Sequence, residues 1–422
     1  MKLPDSKTFC VAPWFQIRNE NNNTKKVCCW IDSKSPESSF QEPLEYLNST
    51  SITKLKEDLH NGVKNKECSR CWSAEQDGRT SLRQKLNGVL MNNANTIDNT
   101  WLKSYFKRKK DFNSDHILMS DIKIGNTCNH ACVMCVPDDS SMIYSNWIKD
   151  QDVFFIQEKL KKDPEYLERI KTNGFKNQQY RHYVKEILKN TKLKYLKLLG
   201  GEPLLDEKLL KDLREVPENQ KKNLILYIVT NGSRDLLSVK EYLGNYKSIM
   251  FTISLEGIGD VQEYARYGSV WPTLSRNILN FKKAFPSEII IHTTLQTTTI
   301  LGFKELANWT KENDIALSIG ICQDPDYLSF GSLPPSVRNE VHETLSSANV
   351  TTKQRSIGDE EFYSADKVSD IMEQTDFDVA LYNKFLRYIK WYENGKKIKP
   401  LRSVFPLLFI DNDGNSSYNV KR

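Results

Sequence analysis

From about residue 116 the sequence repeats one pattern: a short run rich in β-branched and aromatic residues, then a longer amphipathic stretch. The six short runs are Ile122–Ile124, Tyr195–Leu199, Leu224–Val229, Ser248–Ile253, Ile289–Gln296 and Ala316–Cys322. The clearest helical patterns between and after them are DEKLLKDLREV, RDLLSVKEYLGNY, PTLSRNILNFKKAF and FKELANWTKEND. Six alternations predict an α/β fold with a parallel sheet and right-handed crossovers, either open or curled into a barrel. Functional residues of such sheets collect at the carboxyl ends of the strands.

The regions on either side of this pattern differ from it. Residues 1–115 are irregular in pattern and combine a cysteine hairpin, polar loops, a helical pattern near Ile52–Asn61 and a C-x2-C motif. Residues 116–330 form the predicted core, with a polar helical insertion at about 145–192. Residues 331–422 predict a helical extension, in which Pro406–Ile410 and the following DNDG could form a final strand and tight turn.

Composition excludes several classes of protein. A chain of 422 residues can bury a large core without disulfides. No segment approaches the ~18 apolar residues that cross a bilayer, and MKLPDSKTFC has no signal-peptide core. The net charge of +6 is mild, and the basic residues are interspersed with acids. Membrane insertion, secretion and nucleic-acid binding are therefore not expected.

Nine cysteines are the strongest indication of chemistry. Eight of them lie in the first third of the chain, in tight local groups, at positions 10, 28, 29, 68, 71, 128, 132 and 135, and the ninth is Cys322. An odd number argues against a closed disulfide framework. Local clustering is typical of metal ligation, whereas Cys322, at the end of the sixth strand, is expected to be a core residue.

The first group is Cys128, Cys132 and Cys135, a C-x3-C-x2-C motif directly after the first core strand. Thiolates prefer iron–sulfur clusters and zinc. A structural zinc site has four protein ligands, so three cysteines leave one position open, as a catalytic site requires. The alternative is a zinc knuckle with His130 as fourth ligand. Because His130 lies between two of the cysteines, a surface or supporting position is the better interpretation.

The second group, Cys10, Cys28, Cys29, Cys68 and Cys71, offers four ligands and one spare. Adjacent residues of a strand point to opposite faces, so only one of Cys28 and Cys29 should bind, and we favour Cys28. The ligand chemistry alone is also compatible with a structural zinc site made of four cysteines.

The cysteine loop after the first strand of a β/α series resembles the radical S-adenosylmethionine (SAM) superfamily. The resemblance implies that Cys128, Cys132 and Cys135 hold a [4Fe–4S] cluster whose fourth iron is chelated by SAM. It implies further that one electron splits SAM into methionine and a 5′-deoxyadenosyl radical, which abstracts hydrogen from a substrate. Iron–sulfur potentials reach down to roughly −700 mV, low enough for this reduction. Met134 matches the position beside the adenine.

Two strand-end motifs are similar to elements of the same superfamily. Gly200, Gly201 and Glu202 belong to GGEP at the end of the second core strand, which resembles the motif that binds the amino group of SAM. Glycine permits close backbone approach, and an acid can accept hydrogen bonds from an ammonium group. Asn231 belongs to TNG at the end of the third strand, and the resemblance places it among the SAM-binding residues.

The fourth core strand ends in Ser254-Leu255-Glu256-Gly257, which resembles the S-x-D-G motif with Glu in place of Asp. The resemblance implies that Ser254 contacts the polar end of SAM and that Glu256 reaches the ribose hydroxyls. Arg266 resembles an arginine often found after this motif, where it could bind a carboxylate of SAM or of the substrate. A surface helix arginine is the alternative interpretation.

A hairpin with a cysteine on each arm, a helix and a C-x2-C resemble the twitch domain, a shortened SPASM domain, placed here before the core. This implies an auxiliary [4Fe–4S] cluster on Cys10, Cys28, Cys68 and Cys71, with Cys29 as the alternative to Cys28. The fold implied is a partial (β/α)6 TIM-type barrel with a small N-terminal α+β iron–sulfur domain over residues 1–115.

The predicted function is that of a cytoplasmic radical SAM enzyme, reduced by a partner such as flavodoxin or ferredoxin, that modifies a peptide or protein. Dehydrogenation of a small alcohol or sugar is the alternative within the family. Outside the family, the alternatives are a zinc protein and an iron–sulfur redox sensor or electron carrier.

Overall fold

The computed structural model describes residues 7–20, 24–31, 42–76, 80–92, 99–108, 111–171, 176–348 and 363–409. The strands in these ranges are β1 (Gln16–Asn19), β2 (Lys25–Lys26), β3 (Met119–Lys123), β4 (Ala131–Cys132), β5 (Tyr195–Leu199), β6 (Ile225–Thr230), β7 (Ser248–Ser254), β8 (Arg266–Tyr267), β9 (Ile289–Leu295) and β10 (Ala316–Ile321). One eight-stranded sheet has the order β10–β9–β7–β6–β5–β3–β1–β2, and β4 pairs with β8.

Helices connect and flank these strands. They are α1 (Ala12–Phe15), α2 (Pro43–Leu47), α3 (Thr50–His60), α4 (Ser69–Gln76), α5 (Leu82–Asn92), α6 (Asn99–Arg108), α7 (Ser141–Lys149), α8 (Phe154–Lys162), α9 (Tyr166–Ile170), α10 (Gln178–Leu188), α11 (Glu207–Arg214), α12 (Glu218–Lys221), α13 (Leu236–Leu243), α14 (Gly259–Ala265), α15 (Trp271–Ala284), α16 (Phe303–Glu312), α17 (Pro335–Ser347), α18 (Ala365–Glu373), α19 (Val379–Glu393) and α20 (Leu401–Val404). Short 3₁₀ helices include Pro203–Leu205 and Pro406–Phe409.

The predicted β/α core is confirmed. Its six strands are β3, β5, β6, β7, β9 and β10, each parallel to its neighbours and in chain order across the sheet. Helices α11, α13, α15 and α16 coincide with the four helical patterns, and α7 to α10 occupy the predicted polar insertion. The α/β class and the parallel sheet therefore follow from the alternation of segments whose apolar residues have the period of a strand (2) and of a helix (3.6).

The N-terminal region contains the predicted hairpin, formed by β1 and β2, and adds it to the core sheet, which the sequence pattern did not predict. Strand β1 pairs in parallel with β3, and β2 pairs antiparallel with β1. Arg18 lies opposite Asp121 in this register, with 3.8 Å between its Nη1 and the Asp121 Oδ2. Part of the segment predicted as a separate domain thus extends the core sheet, while the boundary at residue 115 stays a prediction.

The two faces of the sheet differ in polarity. Leu198, Ile228 and Phe251 lie on one face, and the Phe251 ring packs edge-to-face on Phe281 of α15 with 5.0 Å between centroids. Neighbouring residues such as Lys197 and His292 point to the other face because side chains alternate along a strand. The apolar face therefore contacts the helices, and the polar face supplies the candidate site.

The C-terminal extension is helical over α17 to α20, as predicted, but the expectation of a final strand is wrong. Residues Pro406–Phe409 form a 3₁₀ helix. Proline fixes φ near the helical value and has no N–H for a strand partner, and the Leu408 carbonyl accepts a hydrogen bond from the Tyr382 hydroxyl at 2.7 Å. Ile410 and the DNDG turn lie outside the described residues.

Within the described ranges, none of the helices combines the length and apolar character needed to cross a lipid bilayer.

Candidate functional site

The cysteine loop begins after β3 at the carboxyl edge of the sheet. Strand β4, within the loop, pairs antiparallel with β8, so that Cys132 lies opposite Arg266. The Val133 N–H donates to the Ala265 carbonyl at 2.8 Å, and the Cys135 N–H donates to the Cys132 carbonyl at 3.0 Å. The loop is therefore fixed against the segment that follows the fourth core strand.

The three thiols of this loop lie in a desolvated environment. Burial raises the pKa of Cys128 to about 12 and also raises the pKa values of Cys132 and Cys135. A buried thiolate is costly because it loses its hydration. Metal binding releases the thiol proton and supplies compensating positive charge, so three such thiols on one loop are a suitable donor set for an iron–sulfur cluster.

Two side chains from other segments of the chain approach the sulfurs. The Arg266 Nη1 lies 3.6 Å from the Cys132 Sγ, and the Asn231 Nδ2 lies 4.0 Å from the Cys128 Sγ. Arg266 is only 14% exposed and belongs to β8. The surface-helix interpretation of Arg266 is therefore wrong, because the residue pairs with a buried carboxylate and faces a cysteine.

That carboxylate is Glu256, which is fully buried. It accepts from the Arg266 Nη2 at 2.6 Å and from the Thr294 N–H at 2.7 Å. The backbone N–H of Glu256 donates to the Gln262 Oε1 at 2.8 Å. Glu256 therefore holds Arg266 in place and links β7 to β9, while a contact to ribose stays a prediction.

Glu202 joins the ends of the second and third core strands. Its carboxylate accepts hydrogen bonds from the Asn231 N–H at 2.6 Å, the Thr230 Oγ1 at 2.8 Å and the Leu204 N–H at 3.0 Å. Burial raises its pKa, although these three donors act in the opposite direction. Hydrogen-bond acceptance by Glu202 thus supports the turns themselves, and its contact with an amino group stays a prediction.

The two glycines of GGEP allow this turn to approach the cysteine loop. A Cβ at Gly201 would lie 2.3 Å from the Thr127 carbonyl oxygen, and one at Gly200 would lie 2.9 Å from the Gly125 oxygen. Gly200 also has φ +116°, which side chains disfavour. The Gly201 N–H donates to the Gly125 carbonyl at 2.7 Å. The glycines therefore position the loop, a role that the motif alone did not indicate.

Several polar groups near this edge have capacity for a ligand. The half-buried Ser254 hydroxyl makes no hydrogen bond within the described part of the chain. The Gln262 Nε2 and both polar side-chain atoms of Gln296 are buried without a partner among described residues. Buried polar groups normally have partners. A polar cofactor such as SAM is a chemically suitable partner for this set. Met134 lies in the loop and is half-buried against the core.

The surface interpretation of His130 is wrong, while its supporting position stays a prediction. It is buried rather than at the surface, and neither ring nitrogen has a hydrogen-bond partner among the described residues. Burial lowers its pKa to about 4, with a further contribution from Arg266. The ring lies beside Gly268, where a Cβ would come within 3.1 Å of its Cδ2. Its imidazole is therefore neutral at pH 7.

Helix α19 supports the loop from the distant C-terminal region. The Tyr392 hydroxyl donates to the Ala131 carbonyl at 2.8 Å, and the Tyr388 hydroxyl donates to the Val133 carbonyl. Both tyrosines are buried. No sequence motif indicated these tyrosines, although their i, i+4 spacing places both on one helix face.

The N-terminal cysteines converge at a second place. Cys10, Cys28, Cys68 and Cys71 line one pocket, whose described lining residues do not include Cys29. Burial strongly raises the pKa of Cys10, and proximity to the other three thiols adds to the effect. Among the described residues, no three His, Cys, Asp or Glu side chains are arranged to hold a single metal ion. Cys322 is buried directly after β10, as expected of a core cysteine.

One family model matches the central part of the chain. Residues 122–309 match the model of the Radical SAM superfamily, a range that contains the cysteine loop and the strand-end motifs. This central part of the chain is therefore similar to a radical SAM superfamily domain. No curated protein matches the sequence.

Solved structures of low identity also match parts of the chain. The native anSMEcpe structure with bound AdoMet is 20% identical, with a TM-score of 0.39 over 54% of this chain and 60% of that one. Its structure with AdoMet and the Cp18Cys peptide has 20% identity, a TM-score of 0.35 and coverage of 54% and 59%. TYW1 with a lysine-pyruvate adduct is 16% identical, with a TM-score of 0.30 over 58% and 74%. The chain spans about three fifths of the length of the anSMEcpe structures.

Proposed function

We propose that this protein is a radical SAM enzyme whose catalytic [4Fe–4S] cluster is held by Cys128, Cys132 and Cys135. The observation that carries the proposal is the convergence of Asn231, from the TNG motif, and Arg266, from β8, on the sulfurs of this loop. When bound, the cluster and SAM supply a 5′-deoxyadenosyl radical that removes hydrogen from a substrate. The radical SAM domain match supports the proposal.

In this proposal the residues of the chain bind and orient SAM and shield it from water. Met134, Gly200, Gly201, Glu202, Asn231, Ser254 and Glu256 form the SAM-binding edge. Arg266 places a permanent positive charge beside Cys132, where it stabilises a thiolate. The Ser254 hydroxyl and the Gln262 amide are positioned to bind polar groups of SAM. No side-chain acid or base is needed for the first step.

We assign Cys10, Cys28, Cys68 and Cys71 to an auxiliary [4Fe–4S] cluster of a twitch-like N-terminal domain. Four protein ligands leave no open iron, so this cluster would transfer electrons rather than bind SAM. The substrate proposed is a peptide or protein, and the reductant a low-potential protein such as flavodoxin or ferredoxin. The oxygen sensitivity of exposed clusters suits a reducing, cytoplasmic setting.

Anaerobic reconstitution tests the proposal. The wild-type protein should bind about eight irons, by the two-cluster count, and release 5′-deoxyadenosine from SAM with dithionite. Cys132→Ala should abolish SAM cleavage, and Cys71→Ala should lower iron to about four per chain and spare much of the cleavage. Zinc without iron, or iron without SAM cleavage, would contradict the catalytic assignment. Equal loss of cleavage in both variants would contradict separate roles for the two cysteine sets.

A further inference from the structure

A cavity of about 390 Å³ lies between the N-terminal cysteine region and the last two strands of the sheet. Arg70 and Ser73 of α4 line one side, and His292 and Thr294 of β9 line the other. This volume is within the range of pockets that bind small molecules or single side chains. The cavity is therefore built jointly by the two regions to which we assign cysteine ligands.

The lining of this cavity has an unbalanced charge. Its described lining residues include the cation Arg70 and no carboxylate. The Arg70 guanidinium also has no ion-pair partner among the described residues. Ser73 and Gln323 add a hydroxyl and an amide to the wall, and neither side chain makes a hydrogen bond within the described ranges. A guanidinium is always charged and presents a planar set of donors that suits carboxylate and phosphate oxygens.

The polar face of the sheet completes the cavity. The His292 Nδ1 lies 2.9 Å from the Ser318 Oγ, which fixes the ring on the wall. A Cβ at Gly320 would lie 3.2 Å from the His292 Cε1, so glycine leaves room for the imidazole. The strand side of the cavity therefore presents an oriented ring nitrogen and hydroxyl groups.

Hydrogen bonds connect this wall with the cysteine loop. The Thr294 N–H donates to Glu256, Glu256 accepts from Arg266, and Arg266 donates to the Cys132 Sγ. On the opposite wall, Ser69 and Arg70 lie in sequence between Cys68 and Cys71. A molecule in the cavity would therefore lie between the two cysteine sets.

We infer that this cavity is the substrate site and that the substrate presents an anionic group, a carboxylate or a phosphate, to Arg70. The inference rests on the proposed function, which supplies the reaction. His292 and Gln323 bind neutral polar parts of the same substrate. For a peptide substrate, the anion would be an acidic side chain or the terminal carboxylate.

The test uses reconstituted full-length protein and three probes: glutarate, inorganic phosphate and the neutral control glutaramide. Binding is measured by isothermal titration and by saturation-transfer NMR. Arg70→Gln should lower the affinity for the anion about tenfold or more, because charge-assisted hydrogen bonds are lost. Arg276→Gln, which removes an exposed arginine from α15 on the helical side of the sheet, is the matched control and should bind as the wild type does.

Gln323→Leu gives an independent check, because it changes the cavity without touching α4 or its cysteines. It should weaken binding a fewfold even if Arg70→Gln proves unstable. Tighter binding of glutarate than of phosphate identifies a carboxylate substrate, and the reverse order identifies a phosphorylated one. Failure of both anions to bind, equal binding in Arg70→Gln, or equal affinity for glutaramide overturns the inference.

Formation of 5′-deoxyadenosine from SAM without substrate is measured on the same wild-type samples. If SAM is cleaved but neither anion binds, the anionic substrate site is wrong and the proposed function stands. If SAM is not cleaved although an Arg70-dependent anion binds, the proposed function fails, and with it the assignment of the cavity as a substrate site.

Discussion

At the scale of single residues, the site is organised by carboxylates that bind protein groups. Glu256 holds Arg266 against Cys132, and Glu202 fastens the turn that carries Asn231. A buried carboxylate requires several donors to offset its lost hydration, and backbone N–H groups and a guanidinium provide them here. Both acids therefore position the groups that face the cysteine sulfurs.

The choice between Cys28 and Cys29 yields a sharp prediction. Cys28 lines the pocket shared with Cys10, Cys68 and Cys71, so Cys28→Ala should lower the iron content of the reconstituted protein by about four per chain. Cys29→Ala is the matched control and should keep its iron, because its neighbour supplies the ligand. Iron analysis after anaerobic reconstitution measures the difference. Equal losses in both variants would show that the pocket does not select the ligand.

Lys396 predicts a pH dependence of stability. Its Nζ lies 3.7 Å from the Tyr392 ring centroid, and burial lowers its pKa from 10.5 to about 8. Between these values the unfolded chain binds the proton that the folded protein has released, so this lysine makes stability rise with pH. The urea concentration at the unfolding midpoint should therefore rise between pH 8 and pH 10, and it should rise more for the wild type than for Lys396→Met.

The exposed neighbour Lys397 offers the control, since Lys397→Met should keep the pH slope of the wild type. A Lys396→Met protein with an unchanged slope would mean that another group produces the dependence.

At the scale of elements, the long and strongly periodic segments could be predicted well from the sequence. The six core strands and four crossover helices were predicted because their apolar residues recur with the spacing typical of strands or of helices, and this spacing is visible in a single sequence. The hairpin of β1 and β2 was predicted, but its addition to the core sheet was not, since the four residues QIRN of β1 do not indicate that they pair with β3. The proposed strand at Pro406 failed because an apolar run does not reveal whether a sheet edge is available to pair with it.

The turn at Gly201 illustrates what a motif cannot state. The binding of a cofactor at Gly201 stays a prediction, and the structure shows in addition that a Cβ at this position would meet the backbone of Thr127. Gly201→Ala should push the cysteine loop away from the sheet and destabilise the protein by about 1–3 kcal/mol, as overpacking does. The amount of iron bound by the cysteine loop should decrease in the same variant. Thermal denaturation and iron analysis of the reconstituted variant measure both effects.

Gly62→Ala is the control for this variant, since nothing lies within 4 Å of a Cβ there. Its φ of +84° means that stability alone should decrease, through backbone strain. A Gly201→Ala protein that keeps all of its iron would show that the loop tolerates the displacement.

At the scale of the whole molecule, residues far apart in sequence complete the cysteine loop. Arg266 lies 134 positions from Cys132, and Tyr392 lies 261 positions from Ala131. Motif spacing identifies the cysteines, because all three lie on one short segment. It cannot identify the tyrosines, whose partners are backbone carbonyls that carry no sequence signature. The cysteine ligands could thus be predicted from the sequence, whereas the residues that support the loop could not.

Removal of the two tyrosine hydroxyls tests this support. In the Cys71→Ala background, where the loop would hold the remaining iron, Tyr388→Phe with Tyr392→Phe leaves the Val133 and Ala131 carbonyls without these donors. Each lost hydrogen bond should cost about 1 kcal/mol, and a chelator should remove loop iron severalfold faster. Tyr246→Phe, which breaks a 2.6 Å hydrogen bond to Leu213 elsewhere, should lower stability without accelerating iron loss. Equal rates in the two proteins would mean that α19 stabilises the fold but does not hold the cysteine loop.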